Sequence, residues 1–465
     1  MAEAGERADR WRAPNGLALV AGLALAGLHF GLRPLSDNSF LTHLATGRLI
    51  LERGSVPTTD PYSFTAAGEP WVVQSWLPAL LYGVIDRIAG GAGLLALHAV
   101  LIIVLALLVG ILTARLDSIL PRVLVGSLAL VIGGAFWSER PLLFGLACFG
   151  LTLVVTDRNA DPRWLVPVFA VWVASHGSFP LGFVLLLVLV AGAALDHSPV
   201  AHLRRCARWA AGGAVLGSLY PLGPKVLVFP LSLLAGGEVL EGVSEWQAPS
   251  FDSLPQRAWL LQLLLAVVLL VRRPSYRAAV PLVAFGGASL LALRNVPVAS
   301  LALLPGMAIG AEGLGSISSR ARSAVATLGL GAALLGAVAS IATAAVRPAF
   351  SLVTYPVEVL ASVRAELGPD VRIVAQDTVG NYRIAVLGED AKVFYDDRFD
   401  MYSTDLAADH RALGRGDERW QEVLDRHRAE VVVWRRDRSL STFLTLSPAW
   451  HVVAADRFWL AAARR

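Results

Sequence analysis

The sequence predicts an α-helical polytopic membrane protein of about eleven transmembrane helices, followed by a small C-terminal α/β soluble domain. Three observations carry this. Hydrophobic residues make up 55% of the 465 and charged residues only 16%, with a mean hydropathy of +0.59, where a soluble domain carries about 25% charged residues. Apolar stretches of membrane-spanning length recur from residue 17 to about 346. From Arg347 onward the charge density more than doubles, with 17 basic and 18 acidic residues in the last 119. Residues 1–346 therefore read as a transmembrane domain and 347–465 as a separate soluble one, and a simple soluble enzyme is excluded.

The predicted spans are 17–35, 91–113, 123–138, 141–156, 164–176, 178–195, 209–222, 257–271, 278–293, 297–312 and 323–346. Arg7, Arg10 and Arg12 precede the first without a clear A-x-A cleavage site, so a retained helix is expected instead of a signal peptide. Counting from a cytoplasmic N-terminus, every inside loop holds at least two arginines: Arg115 and Arg122; Arg158 and Arg163; Arg204, Arg205 and Arg208; Arg272, Arg273 and Arg277; Arg320 and Arg322. That is positive-inside topology, and it puts the C-terminal domain outside. The net charge of +4 belongs to these loops and calls for no nucleic-acid partner. Cys148 and Cys206 form no CxxC, so neither a disulfide nor a cysteine-ligated metal is expected.

Between the first two spans lies an outer loop, residues 33–90. Residues 39–53 are amphipathic, Gly54 ends that helix, and Thr58-Thr59-Asp60-Pro61 is turn chemistry; a second amphipathic helix is expected from near Trp71. Helices of this kind lie along a membrane surface. A second loop covers 237–256. In the tail, 371–375, 383–387, 392–395, 430–434 and 451–455 read as strands and 402–413 and 417–428 as helices.

Several polar residues at loop and span ends carry candidate chemistry. Asp37 sits where the chain leaves the first span, either as a polar turn or as a general base. Arg140 and Arg294 at outer span ends are phosphate partners or structural ion pairs with Glu139 or Glu245. Glu245-Trp246 offers an acceptor carboxylate and an indole face for a sugar, or an interfacial belt residue. His43 and His176 fall on the same predicted side, but their spacing is no metal signature, and His176-Gly177 reads more readily as a helix-end cap. Asp60 is a turn-former first and a second-choice acid. Asp396, Asp397, Arg398 and Asp400 after a strand end are a ligand site or an ion network at a domain joint. Nucleotide-loop, serine-elbow and zinc-protease motifs are absent.

The run Asp37-x5-His43-Leu44-x2-Gly47-x2-Ile50-Leu51-x2-Gly54-x2-Pro57-x2-Asp60-Pro61-x-Ser63-x-Thr65-x2-Gly68-x-Pro70-Trp71 resembles the first periplasmic loop of bacterial membrane proteins described as GT-C superfamily glycosyltransferases. Further matches follow in order at Arg140-Pro141-x-Leu143-Phe144, His176-Gly177-x-Phe179, Pro221-x-Gly223, Glu245-Trp246-Gln247 and Arg294-Asn295-x-Pro297. Gly380-Asn381-Tyr382 and Val393-Phe394-x-Asp396-x-Arg398-x-Asp400-x-Tyr402 continue them in the tail. The resemblance implies transfer of a sugar from a polyprenyl-phosphate carrier to a glycan, lipid or protein acceptor of the cell envelope, at the outer face of a bacterial inner membrane. It also implies a first-loop carboxylate as base or metal ligand, which maps onto Asp37. Relatives often show an acidic-x-acidic pair before Trp-His-Leu, whereas here Asn38-Ser39-Phe40-Leu41-Thr42 precedes His43-Leu44. A single carboxylate fits metal-independent chemistry better, so no cofactor is expected. The other reading is a non-catalytic GT-C-like scaffold, a transporter or an assembly partner for envelope glycans. A transporter would show polar span interiors and an inverted repeat, and neither is evident.

Overall fold

The structure is a computed structural model that describes residues 14–116, 118–219, 221–235, 244–315 and 319–465. Arg7, Arg10, Arg12 and the first part of the 237–256 loop lie outside these. Two compact units emerge. A helical unit takes Met1–Leu35, Ala89–Leu227 and Val243–Ala349; a mixed unit takes Ser36–Ile88, Val228–Gly242 and Phe350–Arg465.

In the helical unit every predicted apolar stretch falls on a helix: Pro14–Gly31, 91–112, Ile119–Phe136, Leu142–Asp157, Leu165–Ser175, Pro180–Leu195, Ala201–Ser218, Leu254–Arg272, 276–291, Val296–Ala311 and Ser319–Val346. Among the described residues four helices are long and apolar enough to cross a membrane: Trp76–Leu112, Leu254–Arg272, Leu293–Ala311 and Thr327–Val346. Several others, such as Pro180–Leu195, are apolar but shorter, whereas Ala201–Ser218 carries Arg204, Arg205 and Arg208. The chain is thus an integral membrane protein, and four strong spans are what length and composition support. Trp76–Leu112 is two helices meeting at Gly90, whose φ of 56° and ψ of −151° suit glycine. The 276–291 helix carries a π-helical turn at Leu282–Gly286, directly after Pro281.

The interior of this unit is aromatic and aliphatic. Phe149 meets Trp172 edge-on with ring centroids 6.2 Å apart, and Phe285 stands 5.6 Å from Phe149. Leu187, Val268 and Leu335 are exposed, as outward positions in hydrocarbon should be. One buried polar tie links two helices: Ser300 donates to Gln262 Oε1 at 2.7 Å, and Gln262 Nε2 donates back to the Ser300 carbonyl at 3.1 Å. Each group satisfies the other where water is absent.

The mixed unit is built on a four-stranded sheet in the order β1–β2–β4–β3, with β1 Ile373–Ala375, β2 Val431–Arg435, β3 Trp450–Ala455 and β4 Trp459–Arg464. β1 and β2 are parallel and the other pairs antiparallel. Val431, Val432, Val433 and Trp434 are fully buried, because helices cover this strand on both faces. Two sequence expectations change here. Residues 383–387 are not a strand but the end of the Asp377–Leu387 helix, and 392–395 forms only an isolated bridge to the first loop, at Val393. Val393 N donates to the Tyr62 carbonyl at 2.9 Å, and Phe64 N to the Val393 carbonyl at 3.0 Å.

The Asn38–Arg53 helix ends at Gly54 in the left-handed conformation, φ 64°. Its Phe40, Leu41, Leu44, Leu49 and Ile50 are buried within the unit. Thr42 donates to Asn381 Oδ1 at 2.8 Å, and Arg48 reaches both Asp86 and the Ala385 carbonyl. Gly47 lets this helix cross the next one closely: a Cβ there would stand 1.8 Å from the Ala79 carbonyl oxygen.

Candidate functional site

In the helical unit, three segments far apart in sequence bring four candidate residues together. The Ile119–Phe136 helix ends at Trp137, and Arg140 follows at the turn into Leu142–Asp157. Glu245 and Trp246 sit on a single 3-10 turn, Ser244–Trp246; Arg294 sits on another, Leu293–Asn295, just before the helix whose first turn holds Pro297. The Leu293 amide donates to the Gln247 carbonyl at 2.8 Å, which fixes one turn on the other. Arg140 Nη1 donates to Glu245 Oε1. The Arg294 guanidinium lies over the Trp246 ring, 4.1 Å from its centroid, and is near enough to feel both the Glu245 carboxylate and the Arg140 guanidinium. The Arg140 and Glu245 side chains are about a third exposed, at 30% and 40%.

This constellation has two cations, one anion and one indole face. Guanidinium planes bind phosphate oxygens bidentately, and an indole beside them can take the C–H face of a sugar. His176 lies in the same unit but does a local task. It ends Leu165–Ser175, and its Nδ1 accepts from the Ser178 amide at 3.1 Å. Its ring therefore shapes the turn into the next helix.

The remaining candidates belong to the mixed unit. Asp37 caps the Asn38–Arg53 helix, accepting from Ser39 N at 3.0 Å. Half-buried His43 lies on the same helix. Asn38 next to the cap donates to Asp377 at 3.5 Å and accepts from Tyr355 at the same distance. Burial raises the Asp377 carboxyl above its ordinary value, and the nearby Asp396 charge adds to this.

Asp60 is 4% exposed, and both its oxygens are engaged. One accepts from Tyr62 N at 3.0 Å and from Arg398 Nη1 at 2.7 Å; the other accepts from the Ser63 amide and hydroxyl. The turn-former expectation describes this geometry. Arg398 forks onto Asp396, Nε to Oδ1 at 2.8 Å and Nη2 to Oδ2 at 2.6 Å, and Tyr402 donates to the same carboxylate at 2.7 Å. Trp71 and Tyr62 place their rings 4.6 and 5.0 Å from the guanidinium carbon. Burial works against the Arg398 charge, but Asp396 and Asp60 outweigh it and hold the guanidinium well above its usual range. Burial, reinforced by Asp396, likewise keeps the Tyr402 hydroxyl protonated. Asp396 and Arg398 are thus a buried network, while Asp400 is exposed beside it. Among the described residues no group of three His, Cys, Asp or Glu side chains is placed to hold a metal ion.

Sequence reasoning named Asp60 and Arg398 separately and missed that they are partners. The matching motif blocks that contain them were the available signal. Asn381, whose Oδ1 accepts from both Thr42 and the Asp397 amide, was also missed as a junction.

The fold is similar to that of the archaeal oligosaccharyltransferase AglB from Archaeoglobus fulgidus, solved in complex with an inhibitory peptide and a dolichol-phosphate. The TM-score is 0.59 at 13% identity, over 90% of this chain and 69% of that one. At such identity the likeness is one of fold alone. No protein-family model matches the sequence, and no curated protein matches it.

Proposed function

We propose that this protein is a membrane glycosyltransferase that moves a sugar from a polyprenyl-phosphate donor to an acceptor at the outer face of a bacterial inner membrane, with its C-terminal domain extracytoplasmic. One observation carries the reading: Arg140, Arg294, Glu245 and Trp246 gather on three connecting segments of an apolar helical unit. The dolichol-phosphate bound to the fold neighbour AglB makes a lipid phosphate a fitting ligand class.

The chemistry follows from charge. The donor is a phosphodiester with one negative charge. As the acceptor oxygen attacks the sugar's anomeric carbon, the bond from that carbon to the phosphate oxygen breaks. The departing polyprenyl phosphate gains a second negative charge. Arg140 and Arg294 stabilise that developing charge, and an arrangement made before reaction adds no reorganisation cost. Trp246 stacks on the sugar, and Glu245 orients its hydroxyls. Asp37 is the carboxylate assigned to take the acceptor proton as base. Asp60 serves as a structural anchor in this scheme, since its carboxylate is fully engaged.

A second reading rests on the Arg140–Glu245 ion pair, in which one of the two cations is already answered by a protein carboxylate; it favours a scaffold that binds a lipid-linked glycan without turning it over. Purified protein given labelled polyprenyl-phosphate sugar separates the two. Transfer abolished by Asp37→Asn, with donor binding weakened by Arg294→Ala, supports the enzyme. Binding without transfer in the native protein supports the scaffold. Asp37→Asn with intact transfer removes the proposed base.

A further inference from the structure

Away from these residues, the mixed unit holds a cavity of about 570 Å³ between the Val357–Leu367 helix, the entry to β1 and the Asp377–Leu387 helix. Its volume falls within the roughly 300–1,000 Å³ of small-molecule pockets. Leu360, Ile373, Val386 and Leu387 give it hydrocarbon walls.

Arg383 lies among them. Its Nε and Nη2 both donate to one backbone carbonyl, Ala391 O, at 3.2 and 2.6 Å. Among the described residues no carboxylate lies within ion-pair distance of it. A half-buried guanidinium held by a single carbonyl keeps most of its donor capacity and all of its charge unanswered. Burial pulls its pKa down to about 10, so the cation persists at neutral pH while feeling the cost of desolvation. Arg364 and Lys392 also line the cavity and likewise make no ion pair among the described residues. Asp370 and Asp390 line it too, and these two, like Arg364 and Lys392, are exposed, so that Arg383 is the one half-buried charge of the cavity. Lys392 takes a left-handed φ of 42°, unusual for a lysine.

We infer that this cavity binds an amphipathic anion, with a phosphate or carboxylate head on Arg383 and a short hydrocarbon body against Leu360, Val386 and Leu387. Apolar walls alone would take a neutral ligand, and a surface cation alone would take a free ion. The combination selects a molecule with both parts. The inference does not depend on sugar transfer.

The test uses the full chain in an uncharged detergent with a photoreactive decyl phosphate, and labelled peptides are mapped. Labelling within 357–392 is expected. Excess decyl phosphate or decanoate should suppress it, and inorganic phosphate at the same concentration should not. Arg383→Gln should lower labelling there at least tenfold. Ala361→Trp, at an exposed position on the cavity wall, should do the same by filling the space while leaving Arg383 in place. The second variant decides the matter if the first fails to fold. Labelling confined to other regions, labelling undiminished in Ala361→Trp, or equal competition by inorganic phosphate would each overturn the inference. The last would mean a simple anion site.

Discussion

Removing the Arg398 charge should uncouple the first loop from the tail. In Arg398→Met, Asp60 and Asp396 keep their burial, at 4% and 0% exposure, and lose the cation that both accept from. Breaking a buried ion pair from one side costs about 3–5 kcal/mol, because an uncompensated charge stays behind. Stacking on Trp71 and Tyr62 adds about 0.5–2 kcal/mol. A total near 5 kcal/mol corresponds to a fall in melting temperature of about 10–20 °C for a unit of this size. Amide exchange followed by mass spectrometry reads the effect locally, and peptides covering 58–72 and 392–402 should lose protection first. Arg398→Lys should fall between native and Met, since one ammonium cannot reproduce three directed bonds. Neutralising the carboxylates as well, in Asp60→Asn/Asp396→Asn/Arg398→Met, should recover part of the loss. If Arg398→Met melts within about 2 °C of native, or the triple variant is no better than the single, then burial of this network does not couple the two segments.

Three further outcomes follow. His410 stacks on Tyr395 at 4.2 Å, and burial, with Arg411 beside it, depresses its pKa to about 4. The unfolded chain therefore binds the extra proton between about pH 6.5 and 4 and the folded one does not, so stability falls as pH drops through that window, by at most about 3 kcal/mol. Melting curves from pH 7 to 4 should be flatter in His410→Phe, and an unchanged slope would reject the assignment. Gly47→Val should sharply reduce the yield of folded protein in size-exclusion profiles, because its Cβ would collide with the Ala79 carbonyl; a native profile would refute that close crossing. Asp37→Ala should cost about 1 kcal/mol through the lost helix cap, whereas Asp37→Asn should melt like the native protein, since Asn caps as well. Equal melting of all three would show that the Ser39 bond contributes nothing.

Periodicity and punctuation made much of the helical unit legible, because lipid imposes long apolar runs with a simple signature. Span status was less so: stretches such as 164–176 are helices, but shorter than a hydrocarbon crossing needs. The tail misled in two instructive places. Arg383–Leu387, with β-branched Ile384 and Val386, reads as a short strand, yet the chain is helical there because its inner face packs on the Asn38–Arg53 helix. Trp459–Arg464, with three consecutive alanines, gives no strand signal and is strand, because β2 and β3 supply both edges and small side chains fit a doubly covered sheet. Pairings such as Asp60–Arg398, 338 residues apart, leave no local trace. Only the chemistry of the two residue types hints at them.

Three arginines in this chain illustrate how burial and compensation together separate structure from recognition. Arg398 is 6% exposed and answered by two protein carboxylates and two aromatic rings, so any ligand would have to displace a bond already made. That is a fastening. Arg294 is less buried, with its flat face on Trp246 and a partly solvated Glu245–Arg140 pair nearby, so a phosphate entering there competes with water more than with protein. Arg383 is the unbalanced case, half-buried with one carbonyl for company. A folded chain tolerates such a charge only if its destabilisation is small or if something else supplies the counter-charge. Leu360, Val386 and Leu387 beside Arg383 offer hydrocarbon contact, so an anion carrying its own apolar body answers both the charge and the walls.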